Sequence, residues 1–438
     1  MLKSTFEVKR KLLTSQKTLL LFYLVFLQIS CVFAQDMPRV RATIDTLCTP
    51  YMGGRGYGRD ATDKGERKAA EYLAARFKKM GLQYFGQDYF QYFKLNVNTH
   101  KVVQLKINNK KLALGQDFIL NPISKSGKGN YKIQLLDSNI FVEEEVQKRF
   151  LNENITKKVI LLNKKDQKKI VDLPIEIVQK IYTAKAILEL QDAKLTATVG
   201  TKENSNPIFE VKTSSIPKKL KKAKFVVKSD FLKDYQTQNI IGYVRGRVVP
   251  DSFLVFSAHY DHLGKMGNIY FPGANDNASG VSMLLELAEF YAKNPPNYSV
   301  AFMFFGAEEA GLIGSQYYTE NPFFDLKKIK FLTNLDLVGT GDEGATVVNA
   351  TLFPEEFQLL QELDIKGNYL PKITKRGKAA NSDHYFFSQK GVKAFFIYTL
   401  GGIKAYHDTD DIAKTLPLTR YTQFFALMKD FIKVLDKK

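Results

Sequence analysis

Apolar and polar positions fall into two regimes along this chain. From residue 237 onward, short apolar runs recur without alternation: Phe253–Phe256, Val300–Phe305, Lys330–Leu335 and Lys393–Tyr398. Unbroken runs of this kind mark strands buried on both faces. Stretches with helical spacing lie between them, notably Gly280–Lys293 and Pro354–Leu363. Strand–helix alternation predicts an α/β fold, a three-layer sandwich around a mixed, largely parallel central sheet. Upstream, Lys64–Met80 places Ala69, Ala70, Leu73, Ala74 and Phe77 at helical spacing, and Gly81 stands where a helix stop belongs. Residues 35–97 as a whole read as helical, then extended.

Residues 98–236 change character. Short alternating runs (KVVQLKI, YKIQLL, KVILL, AILEL) predict strands, and Val171–Tyr182 a helix. This stretch reads as an inserted β-rich domain, dividing the main domain into 35–97 and 237–438. It holds one histidine, His100, and no tight acidic cluster, so no catalysis is expected there.

The first 34 residues differ from both regimes. Lys3, Lys9, Arg10, Lys11 and Lys17 form a basic lead, the apolar stretch Thr18–Leu27 follows, and Val32-Phe33-Ala34 fits a small-x-small cleavage site. The expectation is a secretory signal peptide over 1–34, with a mature chain from Gln35 and export from the cytoplasm to periplasm or exterior. An uncleaved anchor is the alternative, but the apolar core is short for a span. A lipoprotein cysteine at Cys31 is a third reading, and Gln28-Ile29-Ser30 fits it poorly. No later segment is long and apolar enough to cross a membrane.

Composition is that of an ordinary globular protein, with 45% hydrophobic and 25% charged residues in 438. Removal of Cys31 leaves Cys48 alone, which excludes a disulfide framework and a thiolate metal site. Any metal must be held by His, Asp and Glu. The net charge of +19 raises nucleic acid as a partner. Its distribution argues against that: residues 101–240 hold 27 Lys/Arg against 15 Asp/Glu, scattered without interleaved aromatics. No nucleic-acid partner is expected, and a basic outer face is the reading.

Candidate chemistry is concentrated in the last 180 residues, which hold four of the five histidines, each near an aspartate. His259 and Asp261 follow the first apolar run, in SAHYDHLG. Asp276 lies in GANDNASG, just before the helix near Gly280. Glu308 and Glu309 follow the second run, Asp336 ends the third, and His407 in AYHDTDD lies past the fourth. Nearly every candidate thus sits beyond the carboxyl end of a predicted strand, where open α/β sheets build their sites. Imidazole and carboxylate suit zinc. Two close ions need a shared ligand, which a carboxylate provides and an imidazole does not; Asp276 is the natural bridge. Adjacent Glu308 and Glu309 diverge, so one can bind metal while the other takes a proton from water beside it.

At this point the chain resembles the co-catalytic di-zinc aminopeptidases, relatives of aminopeptidase Y, bacterial secreted aminopeptidases and glutamate carboxypeptidase II. The matching segments include GRDATDKGERKAAEYLAARFKKMGL, NIIGYVRG, AHYDHLG, GANDNASGVSMLLELA, FFGAEEAGLIGS, NLDLVG, SDHYFF and YHDTDD, in the family's order. The resemblance implies the zinc-peptidase fold and two zinc ions. His259 and Asp336 would bind the first, Glu309 and His407 the second, and Asp276 both. It implies Glu308 as general base and acid, Asp261 as the group orienting the His259 imidazole, and Tyr406 as a stabiliser of the oxyanion. It further implies a cis peptide bond after Asp276, support of the His407 loop by Asp411, a structural role for His384, and a protease-associated domain in the place of 98–236; His262 reads as a loop or supporting residue rather than a ligand.

The expected activity is hydrolysis of N-terminal residues from peptides. A carboxypeptidase, a glutaminyl cyclase and a receptor-like relative without catalysis are the alternatives. No arginine cluster that would read a terminal carboxylate is apparent, and no ligand position is missing.

Overall fold

The computed structural model of the chain describes residues 35–437. The signal-peptide reading, its cleavage after Ala34 and the Cys31 alternative lie outside these residues. The described chain divides between Arg39 and Val40, and the larger unit, from Val40 onward, carries everything below. Among the described residues no helix is long and apolar enough to cross a membrane.

The four apolar runs are strands of one sheet. Val249–His259 is flanked in parallel by Tyr298–Phe305 and Ile329–Leu335. Ala394–Leu400 adds in parallel beyond Ile329–Leu335; Gly344–Val348 then pairs antiparallel, and Ile373–Lys375 closes that edge. On the other flank Lys222–Val244 runs antiparallel to Tyr298–Phe305.

Helices cover both faces of this sheet. On one face Val255, Met303 and Leu332 pack with Tyr318 and Phe387, from helices Ile313–Glu320 and His384–Gln389. On the other, Phe256 stacks on Phe302, with Tyr291 of helix Gly280–Lys293 beside it, while Phe331 meets Phe431 of helix Tyr421–Leu435. Neighbouring residues of a strand point to opposite faces, and here both faces are dry. That is why these runs lack alternation. The predicted α/β sandwich with its mixed, largely parallel sheet is the observed one. Helix Gly65–Met80 buries the predicted stripe, and Gly81 ends it in the left-handed conformation (φ 74°), its N–H donating to carbonyls of the last turn.

Residues 98–236 are less purely β than expected. Strands Gly127–Leu135, Lys158–Asn163, Ala186–Gln191 and Ile208–Lys212 pair in parallel order. Parallel pairing demands crossover connections, and two of them contain helices, Glu144–Asn152 and Ile175–Ile181. The second lies inside the predicted Val171–Tyr182; the first was not foreseen. Strands Phe90–Ile107 and Lys222–Val244 pair antiparallel along almost their whole length and run through both sequence boundaries, so one sheet continues from the centre into this segment.

Candidate metal centre

The carboxyl ends of the parallel strands bring the predicted residues together. His259 ends its strand, Asp336 follows Ile329–Leu335, and Glu308 and Glu309 follow Tyr298–Phe305. Asp276 lies in the irregular turn Ala274–Ser279 that leads into helix Gly280–Lys293, and its bond to Asn277 is cis, as the resemblance implied. His407 comes in on the loop after Ala394–Leu400.

Asp276 stands between the two imidazoles. Its Oδ1 is 3.2 Å from His259 Nε2, and its Oδ2 is 3.0 Å from His407 Nε2. Each imidazole has a second carboxylate: Asp336 Oδ1 lies 3.4 Å from His259 Nε2, and Glu309 Oε2 lies 3.2 Å from His407 Nε2. Two groups that share Asp276 converge closely enough to hold a cation, His259 with Asp336 and, in place of the expected His407, His262 with Glu309; His407 lies within ion-pair distance of Asp276 and Glu309. These side chains are nearly excluded from water. Asp336 Oδ1, buried, has no hydrogen-bond donor. Buried carboxylates at this density require compensating positive charge. Burial opposes the charge on His407, but the Glu309 carboxylate overrides it and lifts the imidazole to about 11.

The surrounding groups set the orientation. His259 Nδ1 meets the backbone carbonyl of Asp261 at 3.2 Å, which leaves Nε2 facing the carboxylates. The Asp261 side chain was expected to do this. Its Oδ1 is 3.7 Å from Nδ1, beyond hydrogen-bond reach. The carboxylate instead accepts the Glu308 backbone N–H (3.1 Å) and the Tyr57 hydroxyl (3.0 Å). Burial raises Glu308 well above the usual carboxylate range, against the pull of His259, and the nearby Asp383, Glu309 and Asp336 add to the rise. His262 Nδ1 pairs with Glu309 Oε1 at 2.7 Å and holds the carboxylate its other oxygen turns to His407. Asp411 accepts the N–H groups of Asn275 (2.8 Å) and Asp276 (3.0 Å), so it braces the Asp276 turn. Tyr406 stacks on the His407 ring, centroids 4.0 Å apart, with part of its surface in solvent.

These groups open onto a cleft of about 260 Å³, lined also by Leu337, Arg376, Asn381, Phe396 and Tyr398.

Residues 239–432 match the family model described as Peptidase family M28. This segment is similar to that family. Every predicted site residue, from His259 to His407, falls inside the M28 segment. Aminopeptidase YwaD of Bacillus subtilis is 32% identical over 177 residues, which cover 37% of this chain and 36% of that protein. An aminopeptidase of Pseudomonas aeruginosa is 38% identical over 113 residues, 26% of this chain and 20% of that one. The aligned regions thus span about a third or less of these relatives' length. The solved structure of a zinc aminopeptidase from Bacillus subtilis superposes with a TM-score of 0.67 over 91% of this chain and 95% of its own, at 20% identity. At that identity the likeness establishes the fold.

Two arginines near the M28 site escaped sequence reasoning. Arg376 lines the cleft, in a stretch with no periodic pattern. Arg55 is fully buried, and its five N–H groups donate to the carbonyls of Leu47, Tyr260, Pro272, Gly273 and Asp276. A signal for it does exist: Arg55 sits among Gly53, Gly54, Gly56 and Gly58. A Cβ at Gly54 or Gly56 would fall within 2.5 Å of the Gly264 backbone, so side chains are excluded around the buried arginine.

Proposed function

We propose that this chain is an exported, zinc-dependent aminopeptidase that hydrolyses the N-terminal bond of peptides at the cluster centred on Asp276. The observation that carries this reading is that the two oxygens of Asp276 face two different imidazoles, at 3.2 and 3.0 Å, each with a carboxylate of its own. Two cations bridged by one carboxylate need that arrangement. The donor set is His, Asp and Glu without thiolate, which fits zinc. The names of the relatives, aminopeptidases in sequence and a zinc aminopeptidase in fold, agree with it.

In this reading His259 and Asp336 would hold one zinc ion, Glu309 and His407 would hold a second, and Asp276 would serve both. Zinc, when bound, polarises the scissile carbonyl and makes water easier to deprotonate. Glu308 takes the proton from the attacking water and passes it to the departing amine. Asp261 fixes the backbone from which Glu308 projects. Tyr406, kept against His407, donates its hydroxyl proton toward the carbonyl oxygen as charge develops there. Leu337, Phe396 and Tyr398 offer apolar wall to a substrate side chain. Arg376 supports a second reading, a carboxypeptidase of the same family, because a single guanidinium in the cleft can pair with a terminal carboxylate. The complete donor set speaks against a receptor-like relative.

We further infer that 98–236 is an insert in a peptidase domain built from 35–97 and 237–438. Its apolar cluster of Val146, Phe150, Ile160, Ile177 and Ile187, drawn from that stretch alone, supports this. Export rests on the character of residues 1–34.

Replacing Glu308 by Gln tests the mechanism. Turnover of unblocked aminoacyl reporters should fall by about 10²–10⁴ while zinc content is unchanged. Full activity in E308Q would remove Glu308 from the role of base.

A further inference from the structure

The two imidazoles of the centre are held in different ways. His259 Nδ1 meets the carbonyl of Asp261, in its own loop. His407 Nδ1 meets the carbonyl of Ala197, 2.9 Å away and 210 residues earlier in the chain. Ala197 belongs to the inserted stretch. Its N–H donates back to the His407 carbonyl at 3.0 Å, so the two residues are joined by a reciprocal pair of bonds.

Three residues before Ala197, the Lys194 ammonium gathers the same loop. It donates to the carbonyls of Lys404 (2.7 Å) and Tyr406 (3.1 Å) and pairs with the Asp408 carboxylate. The inserted side is anchored, since Leu195 and Ala197 are buried in an apolar cluster that also includes Met266 and Phe271. The loop side needs holding, because His407 sits at φ 52°, a left-handed conformation disfavoured without glycine. A donor bond from Nδ1 to a carbonyl also fixes the tautomer and turns the Nε2 lone pair toward Asp276 and Glu309.

We propose that the insert completes the metal centre: Lys194 and the Ala197 backbone are a clip that positions His407 and Tyr406, and Lys194 is a positioning residue for the His407–Glu309 half-site. This deepens the zinc-peptidase reading and rests on it. Among the described residues no such contact from 98–236 to the His259–Asp336 half-site is found. Loss of the clip therefore weakens one of two zinc sites selectively. Its second effect is on Tyr406, whose backbone carbonyl the ammonium also holds.

The test is zinc titration of the metal-depleted protein, wild type against Lys194→Ala and Lys194→Arg, with thermal unfolding of each metal-free protein as the fold control. Lys194 is partly exposed, so the metal-free variants should melt with wild type. In wild type, two zinc ions bind. In K194A one ion should bind as before and the other about 10–100-fold more weakly, the range that follows loss of an orienting partner. K194R should recover most of that loss, because a guanidinium still reaches carbonyls and carboxylate. Two sites of wild-type affinity in K194A would overturn the clip. Equal weakening of both sites, or a lowered melting temperature of the metal-free variant, would overturn its selectivity and make Lys194 a general stabiliser. Absence of zinc binding in wild type would instead defeat the proposed function, a result distinguishable from failure of the clip.

Discussion

Arg55 offers the sharpest test of how the centre is built. Its guanidinium has no exposed surface and spends all five N–H groups on backbone carbonyls, at 2.7 to 3.2 Å. Those carbonyls belong to three separate stretches, and two of the stretches carry His259 and Asp276. Arg55→Lys keeps the charge but offers three donors to five acceptors. At least two buried carbonyls then lose their partner, each at about 1–3 kcal/mol, so the variant should lose about 2–6 kcal/mol. The assay is urea unfolding followed by far-ultraviolet circular dichroism, since the chain has no tryptophan. The midpoint should fall with the slope unchanged. The Asp276 turn should also loosen, and zinc retention with it. Stability within about 1 kcal/mol of wild type would show that water or backbone shifts replace the missing donors, and the argument that Arg55 knots the two ligand loops would fail.

Two further outcomes follow from buried polar groups. His100 is buried between Ser229 Oγ (2.8 Å) and the Pro122 carbonyl (3.1 Å), and burial lowers its pKa from 6.5 to about 4. Its neutral form is the folded form, so its contribution is complete above pH 6.5 and is lost as pH falls toward 4, by about 3 kcal/mol; the wild-type minus His100→Gln stability difference, measured across that window by denaturant titration, should shrink, and a constant difference would refute it. Asp411→Asn leaves one of the two N–H groups of Asn275 and Asp276 facing an amide donor; stability should drop by about 1–3 kcal/mol, and an unchanged denaturation midpoint would contradict the bracing role.

The site was legible because its ligands sit where apolar runs end. Phe253–Phe256, Val300–Phe305 and Lys330–Leu335 announce strands by their lack of alternation, and His259, Glu309 and Asp336 lie within a few residues beyond. Helix Gly65–Met80 was legible from its spacing and from Gly81. Other features depend on partners distant in sequence. Strand Phe90–Ile107 carries register shifts between Leu95 and Val97 and between His100 and Val102, which break its alternation where the boundary at 97/98 was drawn. Helix Glu144–Asn152 is short and mostly polar, and only Val146 and Phe150 mark its buried side. The Asp261 carboxylate could not be placed from the His-x-Asp spacing, because its partners are the Glu308 backbone N–H, past another strand's end, and Tyr57, from the loop before helix Gly65–Met80. Arg55 reads in sequence as a loop charge, and only the fold turns it inward.

The central claim is that the Asp276 cluster is the zinc centre of an aminopeptidase. The direct measurement compares hydrolysis of unblocked and N-acetylated aminoacyl reporters by the purified protein, before and after chelation and again after zinc is restored. The account predicts cleavage of the unblocked reporters alone, abolished by the chelator and regained with zinc. Cleavage that survives chelation, or equal cleavage of acetylated reporters, would contradict it.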